Sequence, residues 1–183
     1  MAARLDPPTV VQITNRYLAR MIDVITRYRG TVDEFQGDGI LAFFGAPLAA
    51  EDDPERAVAC AIAMQNAMDE VNAEQRRLGL PVLAMGIGLN MGEVIVGNIG
   101  SEQRTKYGAM GSAINTAYRI ESYTVSGRFL SVPSCMPGCR MWWTCKGPSR
   151  CSSRVWSSRS RCTMSVGWRV HMMWHYRRAP RKS

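Results

Sequence analysis

Two kinds of hydrophobic periodicity alternate along residues 5–122, and their order constrains the fold more than any other feature of the sequence. Three stretches repeat apolar residues every three or four positions, as amphipathic helices do. Short apolar runs of strand length lie between them. The predicted order is helix, hairpin, helix, hairpin, helix. With one more strand at its front, this order gives an α+β sandwich of ferredoxin-like βαββαβ topology.

Capping residues mark the predicted helix boundaries. Asp6-Pro7 predicts the start of the first helix and Gly30 its end. Asp53-Pro54 predicts the start of the second helix, which is expected to end near Leu78-Gly79. The third helix is expected over 112–122.

The first predicted hairpin joins the apolar runs Thr31–Phe35 and Ile40–Phe44. An Asp-Gly pair between apolar runs is a strong hairpin signal. Asp38 is therefore expected at an exposed tip or at the rim of a site.

The second predicted hairpin joins Val82–Leu89 to Glu93–Ile99. The turn is assigned to Asn90-Met91-Gly92, because Asn and Gly are typical turn residues. The segment Ser101–Met110 is interpreted as a loop that leads into the third helix.

Charge divides the chain near residue 124. Residues 1–124 contain 11 Lys and Arg residues and all 15 acidic residues, a net charge of −4. Residues 125–183 contain the other 12 basic residues and no acidic residue. We therefore predict a domain over 1–124 and a basic tail over 125–183, either disordered or a frame-shifted reading. Translation of the other two frames of the gene would test the frame-shift hypothesis.

The tail has no sustained period of 2 or 3.6, and its composition permits other interpretations. A zinc module is disfavoured because the spacings lack a paired Cys-x2-Cys, and a disulfide framework is disfavoured in an intracellular chain. Interleaved basic and aromatic residues make nucleic-acid binding the main rival, although charge alone is non-specific and nucleic acid is not the expected partner. The zinc-ligand candidates are Cys135, Cys139, Cys145, Cys151, Cys162, His171 and His175.

No targeting or membrane signal is found in the sequence. There is no run of 18 apolar residues, so no transmembrane segment is predicted. The amino-terminal residues MAARLDPP lack the apolar middle of a secretory signal. We therefore expect a cytoplasmic protein that has no membrane partner.

Three blocks of residues resemble the catalytic domain of class III adenylate and guanylate cyclases. GTVDEFQGDGILAFFGAP (Gly30–Pro47) is similar to the metal-binding hairpin of that family, and GIGLNMGEVIVGNIGS (Gly86–Ser101) to its second hairpin. RTKYGAMGSAINTAYRIES (Arg104–Ser122) is similar to the loop and helix that carry the transition-state residues. The blocks follow the family's order and spacing over residues 3–124. The resemblance implies cyclic nucleotide synthesis from a nucleoside triphosphate, in which the ribose 3′-hydroxyl attacks the α-phosphate and pyrophosphate leaves.

The resemblance also implies the roles of individual residues. Asp38 matches the second of two metal-binding aspartates, and two divalent cations, Mg²⁺ or Mn²⁺, are expected. Asn115 and Arg119 match the transition-state pair, and their i, i+4 spacing puts both on one helix face. The amide can orient the ribose, and the guanidinium can bind phosphate oxygens. Family active sites lie at a two-fold interface, which implies a homodimer or a heterodimer with another cyclase domain.

Glu34 and Gly108 occupy the family's purine-reading positions. Adenylate cyclases typically carry Lys at the first position, whereas guanylate cyclases carry Glu. A carboxylate accepts the N1–H and N2–H donors of guanine and is repelled by the N1 acceptor of adenine. Gly108 provides no acceptor for the amino group of adenine. GTP is therefore favoured over ATP as the substrate.

Two parts of the family pattern have no counterpart in the sequence. The strand Phe-x-Asp-Ile-x-Gly-Phe-Thr, which supplies the first metal aspartate, would precede Met1, so the second metal site is expected to be incomplete. After Thr124 the family continues with a Gly-Gly strand, a helix and a closing strand pair that carries a phosphate-binding Lys. We therefore expect an impaired cyclase, and a catalytically silent dimerisation or regulatory fragment stays open as the alternative.

Overall fold

The computed structural model describes residues 5–124 in full and, beyond them, the backbones of three short strands. The α+β class predicted from the sequence is confirmed. In chain order the elements are α1 (Pro7–Arg27), β1 (Thr31–Gln36), β2 (Gly39–Phe43), α2 (Asp53–Arg77), β3 (Ala84–Gly92), β4 (Ile95–Ser101), β5 (Arg104–Met110), α3 (Ser112–Ser122), β6 (Arg128–Ser131), β7 (Ser165–Gly167) and β8 (Val170–Met173).

The three helices begin and end close to their predicted boundaries. The Asp6 carboxylate caps α1 by accepting a hydrogen bond from the Thr9 N–H at 3.2 Å, and a proline follows the cap. Gly79, just after α2, has a φ of +68°, a left-handed conformation that favours glycine. The apolar stripes of α1 and α2 are buried against each other and against β2 and β3, where they form the core.

Arg56 connects the start of α2 to the two elements that precede it. Its guanidinium donates to the backbone carbonyl of Tyr28 at 2.9 Å, at the end of α1, and pairs with the carboxylates of Asp52 and Asp53. It also lies 5.9 Å from the ring centroid of Phe44, next to β2. These contacts hold the β1–β2 hairpin against the helices.

The prediction of the second hairpin is wrong. The expected turn Asn90-Met91-Gly92 is the end of strand β3, and the expected loop Ser101–Met110 is mostly strand β5. β4 pairs antiparallel with β5, from Ile95 opposite Met110 to Ser101 opposite Arg104. Asn90 and Gly92 resemble turn residues, but they serve helix packing. The Asn90 amide donates to the Ala113 carbonyl at 2.8 Å, and Gly92 leaves room for α3.

Strand β3 also pairs with the three short strands of the 125–183 segment. β6 lies parallel to β3, whereas β7 and β8 lie antiparallel to it and alongside β2. No regular element was predicted after Thr124, because strands of three or four residues are too short for a period to show. The candidate zinc ligands lie outside the residues whose side chains are described, and the division of the chain at residue 124 stays a prediction.

None of the helices within the described residues is long and apolar enough to cross a membrane.

Candidate functional site

Glycines along one face of β3 allow α3 to pack very close to the strand. Alternate residues of a strand share one face, and on this face β3 presents Gly86, Gly88 and Gly92 to the helix. A Cβ at Gly88 would lie 2.5 Å from both the Ala117 carbonyl oxygen and the Glu121 nitrogen. Only glycine allows the helix backbone to approach the strand this closely.

Asn90 lies on the same face of β3 as these glycines, and its side chain fixes the start of α3. The side chain is buried, and its amide donates to the Ala113 carbonyl in the first turn of the helix. Ala113 and Ala117 form the buried side of α3, whereas Asn115 and Arg119 are exposed. The strand therefore positions the two predicted transition-state residues through the helix backbone.

The Glu34 carboxylate accepts hydrogen bonds from three side chains. Lys106 Nζ lies 2.9 Å from Oε2, whereas Gln36 Nε2 and the Tyr118 hydroxyl lie 2.8 and 3.2 Å from Oε1. The Lys106 hydrogen bond is the main cause that lowers the pKa of Glu34 below its ordinary value. The same bond, together with Asp33, raises the pKa of Lys106. Both groups are therefore charged near neutral pH, and the carboxylate is held in one orientation.

Asp33 is the buried partner of this cluster. Its side chain is 1% exposed, and it accepts hydrogen bonds from Lys106 Nζ at 3.0 Å and from the Ala109 N–H at 3.2 Å. Sequence reasoning missed Asp33, Lys106 and Tyr118. Lys106 and Tyr118 lie more than 70 positions from their partners in β1, so no local spacing indicates these pairs.

The structure places the two predicted purine-reading residues on two strands that contact each other but belong to different sheets. Glu34 lies in β1, and Gly108 lies in β5, where the Asp33 carboxylate packs directly against it. The β1–β5 contact is held by Asp33 and Lys106. The result is a corner between β1 and β5, in which Lys106 binds the Glu34 carboxylate and the Asp33 carboxylate packs against Gly108.

Asp38 lies apart from this corner, in the turn between β1 and β2, and is half-buried. It is close enough to α1 to affect Tyr17, whose pKa is raised mainly by burial and further by the charges of Asp38 and Glu121. Within residues 5–124, no hydrogen bond or ion pair joins Asp38 to Asn115 or Arg119. The part of the chain described with side chains also contains no group of three His, Cys, Asp or Glu residues that could hold a metal ion.

Comparisons with known proteins converge on one family. The sequence profile described as "Adenylate and Guanylate cyclase catalytic domain" matches residues 1–136, which extends beyond Thr124. Adenylate cyclase 1 of Rhizobium meliloti (strain 1021) is 34% identical over 116 residues, which cover 63% of this chain. Those residues cover only 17% of that relative, so the chain corresponds to a small part of it.

Solved structures give the same result at the level of the fold. The crystal structure of the guanylyl cyclase Cya2 is 45% identical, has a TM-score of 0.71, and the match covers 91% of this chain and 82% of that one. The adenylyl cyclase CyaB from P. aeruginosa is 28% identical, with a TM-score of 0.68 and coverage of 96% and 87%. The similar structures thus include both guanylyl and adenylyl cyclases.

Proposed function

The chain belongs to the adenylate and guanylate cyclase catalytic-domain family, and from this premise we propose that it makes a cyclic nucleotide from a nucleoside triphosphate, preferring GTP to ATP. The supporting observation is the Glu34 carboxylate, which Lys106 holds in one orientation on a strand that contacts the strand of Gly108. An ionised carboxylate accepts the N1–H and N2–H donors of guanine, whereas it offers nothing to the N1 acceptor of adenine. A polar group held in place discriminates strongly, because the wrong partner leaves it unpaired.

In the proposed reaction, a bond forms between the ribose 3′-oxygen and the α-phosphorus. The bond from the α-phosphorus to the bridging oxygen of the β-phosphate breaks, pyrophosphate leaves, and the hydroxyl proton passes to solvent. Asn115 orients the ribose, and Arg119 donates to phosphate oxygens, whose charge changes in the transition state. The exposure of both residues on one face of α3 supports these roles.

Two divalent cations, Mg²⁺ or Mn²⁺, are expected for this family, and they would activate the attacking oxygen and neutralise phosphate charge. The residues described in 5–124 fit this pair only in part, because Asp38 is the one carboxylate assigned to it and no cluster of three ligands surrounds that residue. Asp38 would contribute a carboxylate ligand to such a site. The triphosphate is a further source of the oxygen ligands that these ions prefer.

A dimer is part of the proposal. Asn115 and Arg119 are exposed, and no hydrogen bond or ion pair joins them to Asp38 within residues 5–124. In a two-fold dimer, the exposed face of α3 on one subunit would complete the site that contains Glu34 and Asp38 on the other. A second copy of this chain or another cyclase domain could provide that face.

The test is a cyclase assay on the purified full chain with Mn²⁺ and either GTP or ATP. We expect the GTP reaction to be about tenfold faster, which corresponds to about one charge-assisted hydrogen bond. Glu34→Lys should reverse the preference, whereas Glu102→Lys, the same charge change at an exposed turn, should keep it. Faster turnover of ATP by the unaltered chain would contradict the GTP preference. Nucleotide binding without any cyclic product would contradict the catalytic proposal.

A further inference from the structure

Strand β2 is buried along its whole length but has a backbone partner on one side only. All five of its residues, Gly39–Phe43, are buried. It pairs antiparallel with β1, and no other strand that the structure describes forms a ladder with it. A buried strand edge without partners leaves N–H and C=O groups unsatisfied, which is costly. The second edge of β2 is therefore an edge at which a neighbouring strand would be stabilising.

The segment 165–173 lies in the space that this edge faces. β6 and β8 both pair with Gly86 and Ile87 of β3, so they occupy opposite edges of that strand. β7 and β8 also contact β2, which places them between β3 and β2. The space between these two strands, the β2–β3 gap, is thus entered by the chain from beyond Thr124.

β7 and β8 follow a single register along β3. Met173 lies opposite Ala84 and Ser165 lies opposite Gly92, and the same number of residues separates the members of each strand. Taken together, residues 165–173 have a sequence that suits one extended strand with one apolar face. From position 165 to position 172, apolar residues alternate with small or polar ones, a period that neither short strand shows alone. The apolar residues are Val166, Trp168, Val170 and Met172.

The segment is held through one of its edges. Its described strands form ladders with β3, whereas β2 lies beside them without a ladder. Extended peptides bind to sheet edges in the same way, by adding a strand through backbone hydrogen bonds. An element bound in this way can also be exchanged for the identical element of another molecule, as in domain swapping.

We propose that the β2–β3 gap is a strand-binding site whose occupant is the segment 165–173, bound through β3 and exchangeable for the same segment supplied from outside. The inference rests on backbone pairing and not on the proposed function. It bears on the candidate site because β2 begins directly after Asp38 and β3 packs against α3, which carries Asn115 and Arg119. No ladder among the described strands joins β2 to β3, so the occupant of the gap helps to set the spacing of these two parts.

Occupation of the gap is tested with Val170→Pro/His171→Pro in the full chain. Successive N–H groups of a strand point to opposite edges, so one of two adjacent prolines removes a hydrogen bond to β3. We expect the amides of residues 84–87 to exchange with deuterium about tenfold faster or more than in the unaltered chain, as measured by mass spectrometry. Ser152→Pro/Ser153→Pro, the same change outside the described strands, should leave this exchange unchanged. Equal exchange in the two double variants would overturn the proposal.

Exchange of the segment is tested by fluorescence anisotropy with a fluorescein-labelled peptide of residues 165–173, SVGWRVHMM. The peptide should bind the Val170→Pro/His171→Pro chain at least about tenfold more tightly than the unaltered chain, whose own segment competes for the gap. Bound peptide should also slow the deuterium exchange of residues 84–87 in that variant. A peptide of the same composition in scrambled order should do neither.

Three results of the peptide experiment would overturn the proposal: equal affinity of the peptide for the two chains, no binding to the variant, or equal binding of the scrambled peptide. If the variant does not fold, the peptide still decides the question, because a ligand that binds only the folded state stabilises it. Added SVGWRVHMM should then restore the amide protection of α1 and α2, and the scrambled peptide should not. A variant that stays unprotected with either peptide contradicts a strand-binding site in the gap.

Discussion

The corner between β1 and β5 and the exposed face of α3 are built in opposite ways. In the corner, Asp33 and Glu34 both bind the Lys106 ammonium, so each polar group is oriented before any ligand arrives. On α3, Asn115 and Arg119 are exposed, whereas the buried face of the helix packs against β3. The proposed base-reading group is thus preorganised within one chain. The proposed phosphate-binding groups are only exposed at the surface, where a ligand and a second subunit would complete their contacts.

Removal of an exposed phosphate-binding group should have the largest effect on rate and almost none on stability. We expect Arg119→Ala to lower the rate of cyclic product formation about 100-fold or more, because donors that stabilise the transition state contribute at this level. Tm should change by about 1 °C or less, since the side chain is exposed. The measurements are an assay with GTP and Mn²⁺ and a thermal unfolding curve.

Arg76→Ala is the matched control for that prediction, because Arg76 is an exposed arginine near the end of another helix, α2. It should leave both the rate and Tm close to their original values. A large loss of stability in Arg119→Ala would show that the exposed face of α3 contributes to the fold. The contrast between the two regions would then be wrong.

The support behind α3 is tested by Gly88→Ala. The added methyl group would lie 2.5 Å from the Ala117 carbonyl oxygen, so the helix must shift or the strand must bend. We expect the free energy of unfolding to fall by about 1–3 kcal/mol, the usual cost of overpacking. The rate should also fall, while the ratio of GTP to ATP affinity should change less than in a variant that lacks the Lys106 ammonium, because α3 carries Tyr118 but not Lys106, the main partner of Glu34. Denaturant unfolding and nucleotide competition would measure these two effects.

Gly97→Ala, in β4, provides the control, since its methyl group would enter open space. A similar loss of stability in both variants would mean that the cost comes from glycine replacement in strands in general. The close contact between β3 and α3 would then not be the cause.

The sequence predicted the helices well because their signals are local. Asp6-Pro7 and Asp53-Pro54 mark helix starts within two residues, and the third helix has the predicted bounds. Asn90 and Gly92 misled the strand assignment for a physical reason. Asn and Gly favour turns and also permit close packing. Whether they form a turn or a strand here depends on contacts with α3, which lies more than 20 residues away along the chain.

The candidate site was predictable only where a family motif was available. Glu34, Asp38, Gly108, Asn115 and Arg119 are all assigned from the resemblance, and their roles stay predictions. The contacts that orient Glu34 come from Lys106 and Tyr118, which lie 72 and 84 positions away along the chain. No periodicity or spacing predicts pairs that depend on how β5 and α3 fold back onto β1.

Lys106→Met tests the preorganised corner directly. The substitution keeps the length of the side chain but removes the ammonium group that holds Glu34 and Asp33. We expect the ratio of GTP to ATP affinity to fall about tenfold, the value of roughly one charge-assisted hydrogen bond, while the turnover of bound GTP changes less. Lys106→Arg, which keeps the charge, should retain more of the ratio. A ratio that is the same in Lys106→Met and in the unaltered chain would show that Glu34 does not need this partner.

The smallest expected effect is the change of base preference with pH, and it follows from the ion pair between Glu34 and Lys106. The folded-state pKa of Glu34 is lowered from 4.5, so its favourable contribution is present above the unfolded pKa and is lost as pH falls through the lower folded value. The pKa of Lys106 is raised from 10.5, so its contribution is present below the unfolded pKa and is lost only as pH rises through the higher folded value.

The ratio of GTP to ATP affinity should therefore change less than about twofold between about pH 5 and pH 8. Both histidines lie beyond residue 170, so the 1–124 segment contains no imidazole that would titrate in this range. Use of the ratio removes the titration of the triphosphate, which GTP and ATP share. In Lys106→Met, the ratio should begin to fall at a higher pH, because Glu34 has lost the main cause of its lowered pKa. A midpoint near pH 6 to 7 in the unaltered chain would mean that a group outside the Glu34–Lys106 pair controls base preference.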